Sequence, residues 1–197
     1  MKTLVVLAHS DLERSIANKS IIDDIKGEID ITVRDLYSLY PEFNIDVEVE
    51  QQALIQADLI IFQYPLHWYS IPGILKEWLD KVMIYGFAYG STGNKLRGKS
   101  LLVSTTVGGE SGSYQLGASN GDSMTTFLSP LKQSADFCGL VWQEPIVSFD
   151  MVFVPGVDGR QGEIQQRAKD HAVQLLSRID NYSIADGREL SGGNEGV

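Results

Sequence analysis

A chain of 197 residues, 43% hydrophobic and 21% charged, has the length of one α/β domain and enough apolar residues for a core of ordinary size. With 16 Lys and Arg against 26 Asp and Glu the net charge is -10, and the basic residues form no run. This argues against nucleic acid or an anionic membrane as the main partner, because phosphate-rich surfaces are bound by clustered cations.

Leu4 to Leu7 is a valine-rich apolar run, as expected of a strand buried on both faces of a parallel sheet. The run is shorter than the apolar region of a secretory signal, and no later stretch approaches membrane-spanning length, so a cytoplasmic location is expected. Ser15 to Ile25 has helical spacing and ends at Gly27, and Asp30 to Arg34 reads as a second strand. Glu48 to Gln56 reads as a short acidic helix whose charges face solvent.

Asp58 to Gln63 is the third strand. Ile74, Leu75, Trp78, Leu79, Val82 and Met83 then form one apolar helical face, with Pro72 at the first turn. Lys99 to Thr105 is the fourth strand, followed by a glycine-rich loop from Gly108 to Gly121. Ser123 to Phe137 reads as a helix that Pro130 must kink or interrupt. Val141 to Phe153 contains a fifth strand, and Ile164, Ala168, Ala172, Leu175 and Ile179 mark a last helix on which His171 is expected at the surface or its boundary. From Asn181 onward the sequence is polar and aperiodic, so one domain over 1–180 and a disordered tail over 181–197 are expected.

Gly93 to Ser100 matches the phosphate-loop pattern G-x-x-x-x-G-K-S, but a helix ends before it and a strand follows, the reverse of what a phosphate loop needs. A surface turn is the reading. The three histidines lie at no metal-ligand spacing, and Cys138 sits in an apolar stretch that favours a buried, inert thiol.

Strands alternating with helices predict a doubly wound parallel sheet, which binds ligands beyond the carboxyl ends of its strands. Three unusual loops fall there. The loop from Ala8 to Asn18 offers His9, Ser15 and Asn18 and the amides of a helix start to an anion, although a simple helix cap would also explain Ser15 and Asn18. Tyr64-Pro65-Leu66-His67-Trp68-Tyr69-Ser70-Ile71-Pro72 bunches aromatics and prolines, which suits a planar ring or else a packed turn. Thr105 to Tyr114 is small and rich in donors, allowing close backbone approach.

At these residues the chain resembles the flavodoxin-like NAD(P)H:quinone oxidoreductases. The resemblance is carried by His9 with Ser15 to Asn18, by Phe62 to Pro72, Ile74 to Val82 and Phe87 to Tyr89, and by Thr105-Thr106 with Gly108-Gly109. Leu36-Tyr37, Leu39 to Asp46 and Glu50-Gln51 resemble the ancillary proteins of bacterial glutathione-gated potassium efflux systems.

The resemblance implies a flavodoxin-like sheet in strand order 2-1-3-4-5 and a flavin, FMN in preference to FAD, with its phosphate at His9, Ser15, Ile16, Ala17 and Asn18. The ring would meet Pro65, Leu66, His67, Trp68 and Tyr69, with Thr105, Thr106, Val107, Gly108 and Gly109 along its other edge. It further implies two-electron, ping-pong hydride transfer from NAD(P)H to a quinone, with Tyr114 stabilising the reduced ring. Asn120 stands where larger relatives carry a histidine and cannot relay a proton. Ser10 in place of the commoner proline and Val107 in place of glycine are departures from the pattern. A homodimer is implied, and a membrane potassium efflux channel is the alternative partner, which would hold the protein peripherally at the membrane.

Overall fold

The computed structural model describes residues 1–153 and 159–191, with side chains to Tyr182 in the last helix. Six strands form one parallel sheet: β1 (Thr3–Leu7), β2 (Ile31–Asp35), β3 (Leu59–Pro65), β4 (Ser100–Thr106), β5 (Val141–Trp142) and β6 (Ile146–Ser148). The order is β2-β1-β3-β4-β5, as expected, and β6 also pairs with β4. The fifth strand is therefore two pieces on one edge, Val141 beside Ser100 and Ile146 beside Ser104. Pro145 lies between them and has no N–H to give the ladder, which accounts for the break.

The helices are α1 (Ile16–Ile25), α2 (Leu36–Leu39), α3 (Val47–Gln56), α4 (Gly73–Val82), α5 (Met124–Phe137) and α6 (Gln161–Ser191). Alternation along the central strands divides the core in two. Leu4, Val6, Ile60 and Phe62 pack toward α3, α4 and α5, whereas Val5, Leu7, Leu59 and Ile61 pack toward α1 and α6. Trp78 of α4 is fully buried and meets Phe62 edge to face, 5.8 Å between ring centroids.

Three local expectations change. The α5 helix runs without interruption through Pro130, because the Thr126 carbonyl that proline strands is taken by the Ser129 hydroxyl at 2.7 Å. The last helix continues ten residues beyond Asn181, to Ser191; residues 192–197 of the expected tail lie outside the described residues. The acidic α3 helix is not wholly a solvated face, for Glu50 is fully buried.

That carboxylate is held on both oxygens. Its Oε1 accepts from Arg34 Nε at 2.7 Å and Tyr40 Oη at 2.6 Å, and its Oε2 from Trp78 Nε1 at 2.9 Å. Arg34 Nη2 completes the ion pair at 2.5 Å. A buried charge is tolerable only when so paired. Gln51 alongside donates to the Val82 carbonyl, so much of the segment from Tyr40 to Gln51 serves to fasten α3 to the sheet and to α4.

The Gly93–Ser100 segment is a turn. Lys99 donates to the Ile55 and Ala57 carbonyls and so closes the end of α3. At Gly93 any side chain would collide with the Tyr89 backbone. Cys138 is buried, and burial raises its thiol pKa, as an inert role requires.

Candidate functional site

The register of the central strands brings three loops to one edge. Leu7 pairs with Gln63, and Tyr64 and Pro65 pair with Thr105 and Thr106, so β1, β3 and β4 end nearly level. Beyond them opens a cavity of about 440 Å³. His9, Ser15, Ile16, Ala17 and Asn18 line it from the first loop, Pro65, Leu66 and His67 from the second, and Thr106, Val107 and Gly108 from the third. A larger cleft of about 790 Å³ crosses Thr3, Leu4, Thr32 and α3. It is near the amino ends of the strands, where parallel sheets do not place ligands.

The first loop builds an anion cradle. Ser15 caps α1, its Oγ accepting the Asn18 N–H at 3.0 Å. The Ile16 and Ala17 N–H groups, at the first turn, have no intrahelical acceptor, and both residues line the cavity at the positive end of the helix dipole. His9 Nδ1 accepts from the Asp11 N–H at 3.1 Å, which leaves the ring proton on Nε2. Burial, and then His67 with its ring centroid 6.4 Å away, hold the His9 pKa below its ordinary value despite Asp11. His9 is thus a neutral donor at physiological pH. Arg14, which also lines the cavity and whose side chain is 82% exposed, adds a cation that the sequence reading passed over.

The second loop is strained. His67 and Ser70 exchange backbone hydrogen bonds of 3.1 and 3.0 Å around Trp68 and Tyr69, whose φ values are +50° and +62°. Two successive left-handed residues are what a type I′ turn needs, normally supplied by Asn-Gly. Bulky aromatics there cost about 1–2 kcal/mol each and persist at functional sites. Trp68 is 94% exposed and does not line the cavity.

Tyr69, Tyr114 and Asn120 are brought together beside Phe127, and none of the three lines the cavity. The Tyr69 hydroxyl donates to Asn120 Oδ1 at 3.2 Å, and both tyrosine rings pack on Phe127. Tyr114 lies against Gly109, where an added Cβ would come within 3.0 Å of its ring. Partial burial, then Tyr69, raise the Tyr114 pKa, so its hydroxyl stays protonated at neutral pH.

Thr105 sits differently: it is fully buried, and its hydroxyl donates to the Tyr64 carbonyl at 2.8 Å, tying two strands together. Alternation along β4 turns its side chain from the cavity and presents Thr106 instead.

Beneath the cradle runs a buried polar chain. Asn18 Nδ2 donates to Thr106 Oγ1 at 2.9 Å, and Gln63 Nε2 to Asn18 Oδ1 at 2.9 Å. The Ser104 hydroxyl donates to Gln63 Oε1 at 2.5 Å. His171 follows, Nε2 2.7 Å from Ser104 Oγ and Nδ1 2.7 Å from Ser148 Oγ. Contrary to the surface position expected for it, His171 is fully buried, and burial lowers its pKa to about 4.

Sequence reasoning also missed a fourth wall of the cavity, Met151, Val152 and Phe153. Met151 N–H donates to the Val107 carbonyl and Asp150 N–H to that of Gly109. The Asp150 carboxylate is gripped by Arg160 and Arg167, and those guanidinium hydrogen bonds hold its pKa down at about 2. Arg160 and Arg167 follow Asp150 by 10 and 17 residues, just before α6 and within it, and carry no motif, so no local signal announces the wall.

A family defined by the flavodoxin-like fold matches residues 1–175. The chain is 44% identical over 140 residues to the uncharacterized NAD(P)H oxidoreductase YrkL of Bacillus subtilis (strain 168), covering 71% of this chain and 80% of that protein. It is 43% identical over 142 residues to the glutathione-regulated potassium-efflux system ancillary protein KefF of Enterobacter sp. (strain 638), covering 72% and 80%. The crystal structure of general stress protein 14 from Treponema denticola in complex with FMN superposes with a TM-score of 0.81 at 30% identity, over 90% of this chain and 99% of that one. Among the described residues no helix is long and apolar enough to cross a membrane.

Proposed function

The chain belongs to the flavodoxin-like fold family, and from that premise we propose that it is an FMN-dependent NAD(P)H:quinone oxidoreductase. One observation carries the reading: an anion cradle of open amides and neutral donors adjoins an apolar, aromatic loop at the carboxyl edge of the sheet. His9 Nε2–H, the Ser15 hydroxyl, the Ile16 and Ala17 amides and Arg14 would hold the phosphate. Pro65, Leu66 and His67 would bound the ring, with Val107 and Gly108 on the opposite wall, while Gly109 lies outside the lining against Tyr114. The single helix start and the cavity of about 440 Å³ suit a mononucleotide better than FAD.

The chemistry that a bound FMN would supply is two-electron hydride exchange between NAD(P)H and a second substrate. The protein's part is to bind, orient and keep water out. His9 would donate a hydrogen bond to the phosphate through Nε2–H while remaining uncharged. Tyr114, packed against Gly109, would offer a hydroxyl proton, and Asn120 fixes Tyr69 by an amide hydrogen bond that cannot relay a proton. One shared pocket for donor and acceptor is the reason to expect ping-pong kinetics.

Purified protein is expected to take up FMN stoichiometrically and oxidise NAD(P)H only when a quinone is supplied, with parallel double-reciprocal plots. A protein that binds no flavin on reconstitution overturns the reading. We propose a homodimer as well, since exposed Trp68 on its strained turn offers an apolar face beside the site; sedimentation of Trp68→Ser against the parent tests it.

Similarity to KefF favours a second reading, attachment to a membrane potassium efflux channel as an ancillary subunit. Tyr40, Glu50 and the Gln51 amide are engaged inside the fold, which leaves the exposed residues Leu39, Pro41, Glu42, Asn44 and Asp46 of that segment for a channel to contact. Co-purification with such a channel and altered potassium efflux on gene deletion are the outcomes expected of that reading.

A further inference from the structure

The buried chain from Thr106 to Ser148 has a direction that its own stoichiometry dictates. A serine hydroxyl has one proton, and that of Ser104 is spent on Gln63 Oε1. Ser104 Oγ can therefore meet His171 Nε2 only as acceptor, so the imidazole carries its proton on Nε2. A neutral ring then has a bare Nδ1, which accepts from the Ser148 hydroxyl. Full burial of His171, with no carboxylate partner among the described residues, keeps the ring neutral.

Read outward, every donor points the same way: Ser148 to His171, His171 to Ser104, Ser104 to Gln63, Gln63 to Asn18, and Asn18 to Thr106. Thr106 Oγ1 thus receives a hydrogen bond and keeps its own proton, which meets no other acceptor among the described residues. Thr106 and Asn18 both line the cavity. Hydrogen bonds in a chain polarise one another, so this last proton is a better donor than that of an isolated threonine.

We propose that His171 is a positioning residue for the cofactor cradle: it sets the polarity of a buried hydrogen-bond chain that makes Thr106 a donor toward an oxygen of the bound cofactor. The acceptor class is a phosphate or ribityl oxygen. The proposal deepens the flavin reading and rests on it for its ligand, but the polarity itself is a property of the free protein. Reversing it would require the other tautomer and both amides turned over, and Thr106 would then give its proton to Asn18.

The first experiment therefore uses the protein without flavin. Nitrogen NMR of histidine-labelled protein is expected to show His171 neutral at pH 7 with its proton on Nε2; a proton on Nδ1 overturns the proposal. The second measures FMN and riboflavin dissociation constants by flavin fluorescence. His171→Leu and Ser104→Ala are each expected to weaken FMN about tenfold, as loss of one hydrogen bond to a charged acceptor does. His171→Gln, whose amide N–H can replace Nε2–H, is expected to recover most of the affinity.

Weakening confined to FMN assigns the acceptor to the phosphate, and equal weakening of riboflavin assigns it to the ribityl chain. In a Thr106→Val background, Ser104→Ala is expected to have no further effect. Additive losses would mean that His171 and Ser104 merely support the fold, and would overturn the proposal. Should His171→Leu fail to fold, Ser104→Ala and the tautomer decide the matter. If the parent protein binds neither flavin, the functional reading falls, while the tautomer still reports on the chain.

Discussion

Two polar clusters are buried on opposite faces of the same sheet, and they are built differently. Around Glu50 the cluster is ionic and closed on one carboxylate: Arg34, Tyr40 and Trp78 all donate to it. Around His171 it is neutral and open-ended, passing through five side chains to Thr106 at the cavity wall. A closed cluster can only hold the fold together. An open one has a free end, and where that end emerges is where chemistry can use it.

The comparison can be broken from either side. The largest effect is expected at Glu50. Replacing it with Ala leaves Arg34 without its buried partner, and breaking a buried pair costs about 3–5 kcal/mol. Urea unfolding should register that loss, while the FMN affinity of the folded fraction stays unchanged; a large affinity change would mean that the Glu50 cluster also serves the cavity.

His171 should make stability depend on pH. Its pKa is lowered in the fold from 6.5 to about 4, so the unfolded chain binds the extra proton first as pH falls. The contribution is complete above pH 6.5 and is lost progressively down to pH 4. It amounts to about 3 kcal/mol if the whole shift is expressed. Unfolding free energies measured across that window should fall in the parent and flatten in His171→Gln.

The strained turn belongs to neither cluster and serves as a control. Trp68→Asn with Tyr69→Gly is expected to stabilise the protein by a net of about 1–2 kcal/mol, the relief of left-handed strain at two residues being partly offset by loss of the Tyr69 contacts to Phe127 and Asn120. Thermal unfolding reads the gain, and lowered quinone turnover would show what the strain is for.

The smallest effect is expected at Asp150, whose ion pairs are solvent-screened and contribute under about 1 kcal/mol. Its pKa is depressed from 3.8 to about 2, so its share is present above pH 3.8 and disappears toward pH 2. Asp150→Asn should remove that acid-range change and loosen FMN slightly through the wall at Met151.

Much of the frame was legible because it is local. The unbroken apolar runs of β1 and β3 announce strands buried on two faces, and Pro65 and Pro72 bracket the loop between β3 and α4. His171 was misjudged although a signal was there: it lies three residues after Ala168 and four before Leu175, on the helix's own apolar stripe. A polar residue in such a stripe is buried, and then it must have partners. Those partners, Ser104 and Ser148, carry no mark in the sequence, nor do Arg34 and Trp78 for Glu50. Long-range pairing of unremarkable residues is what periodicity cannot encode. Thr105 and Thr106 show the same limit at one-residue scale, where the pleat alone decides which threonine faces the ligand.

The break in the fifth strand bears on how the protein behaves in a crowded cell. Strands at the margin of a sheet invite foreign strands to add on, and the sheet could grow into aggregates. Beyond β4 this margin presents segments of only two and three residues with a proline between them, shorter than the five or so of a usual strand. An intruding chain finds no continuous ladder to extend. The interruption at Pro145 thus acts as a stop to polymerisation, set on the far side of β4 from β3.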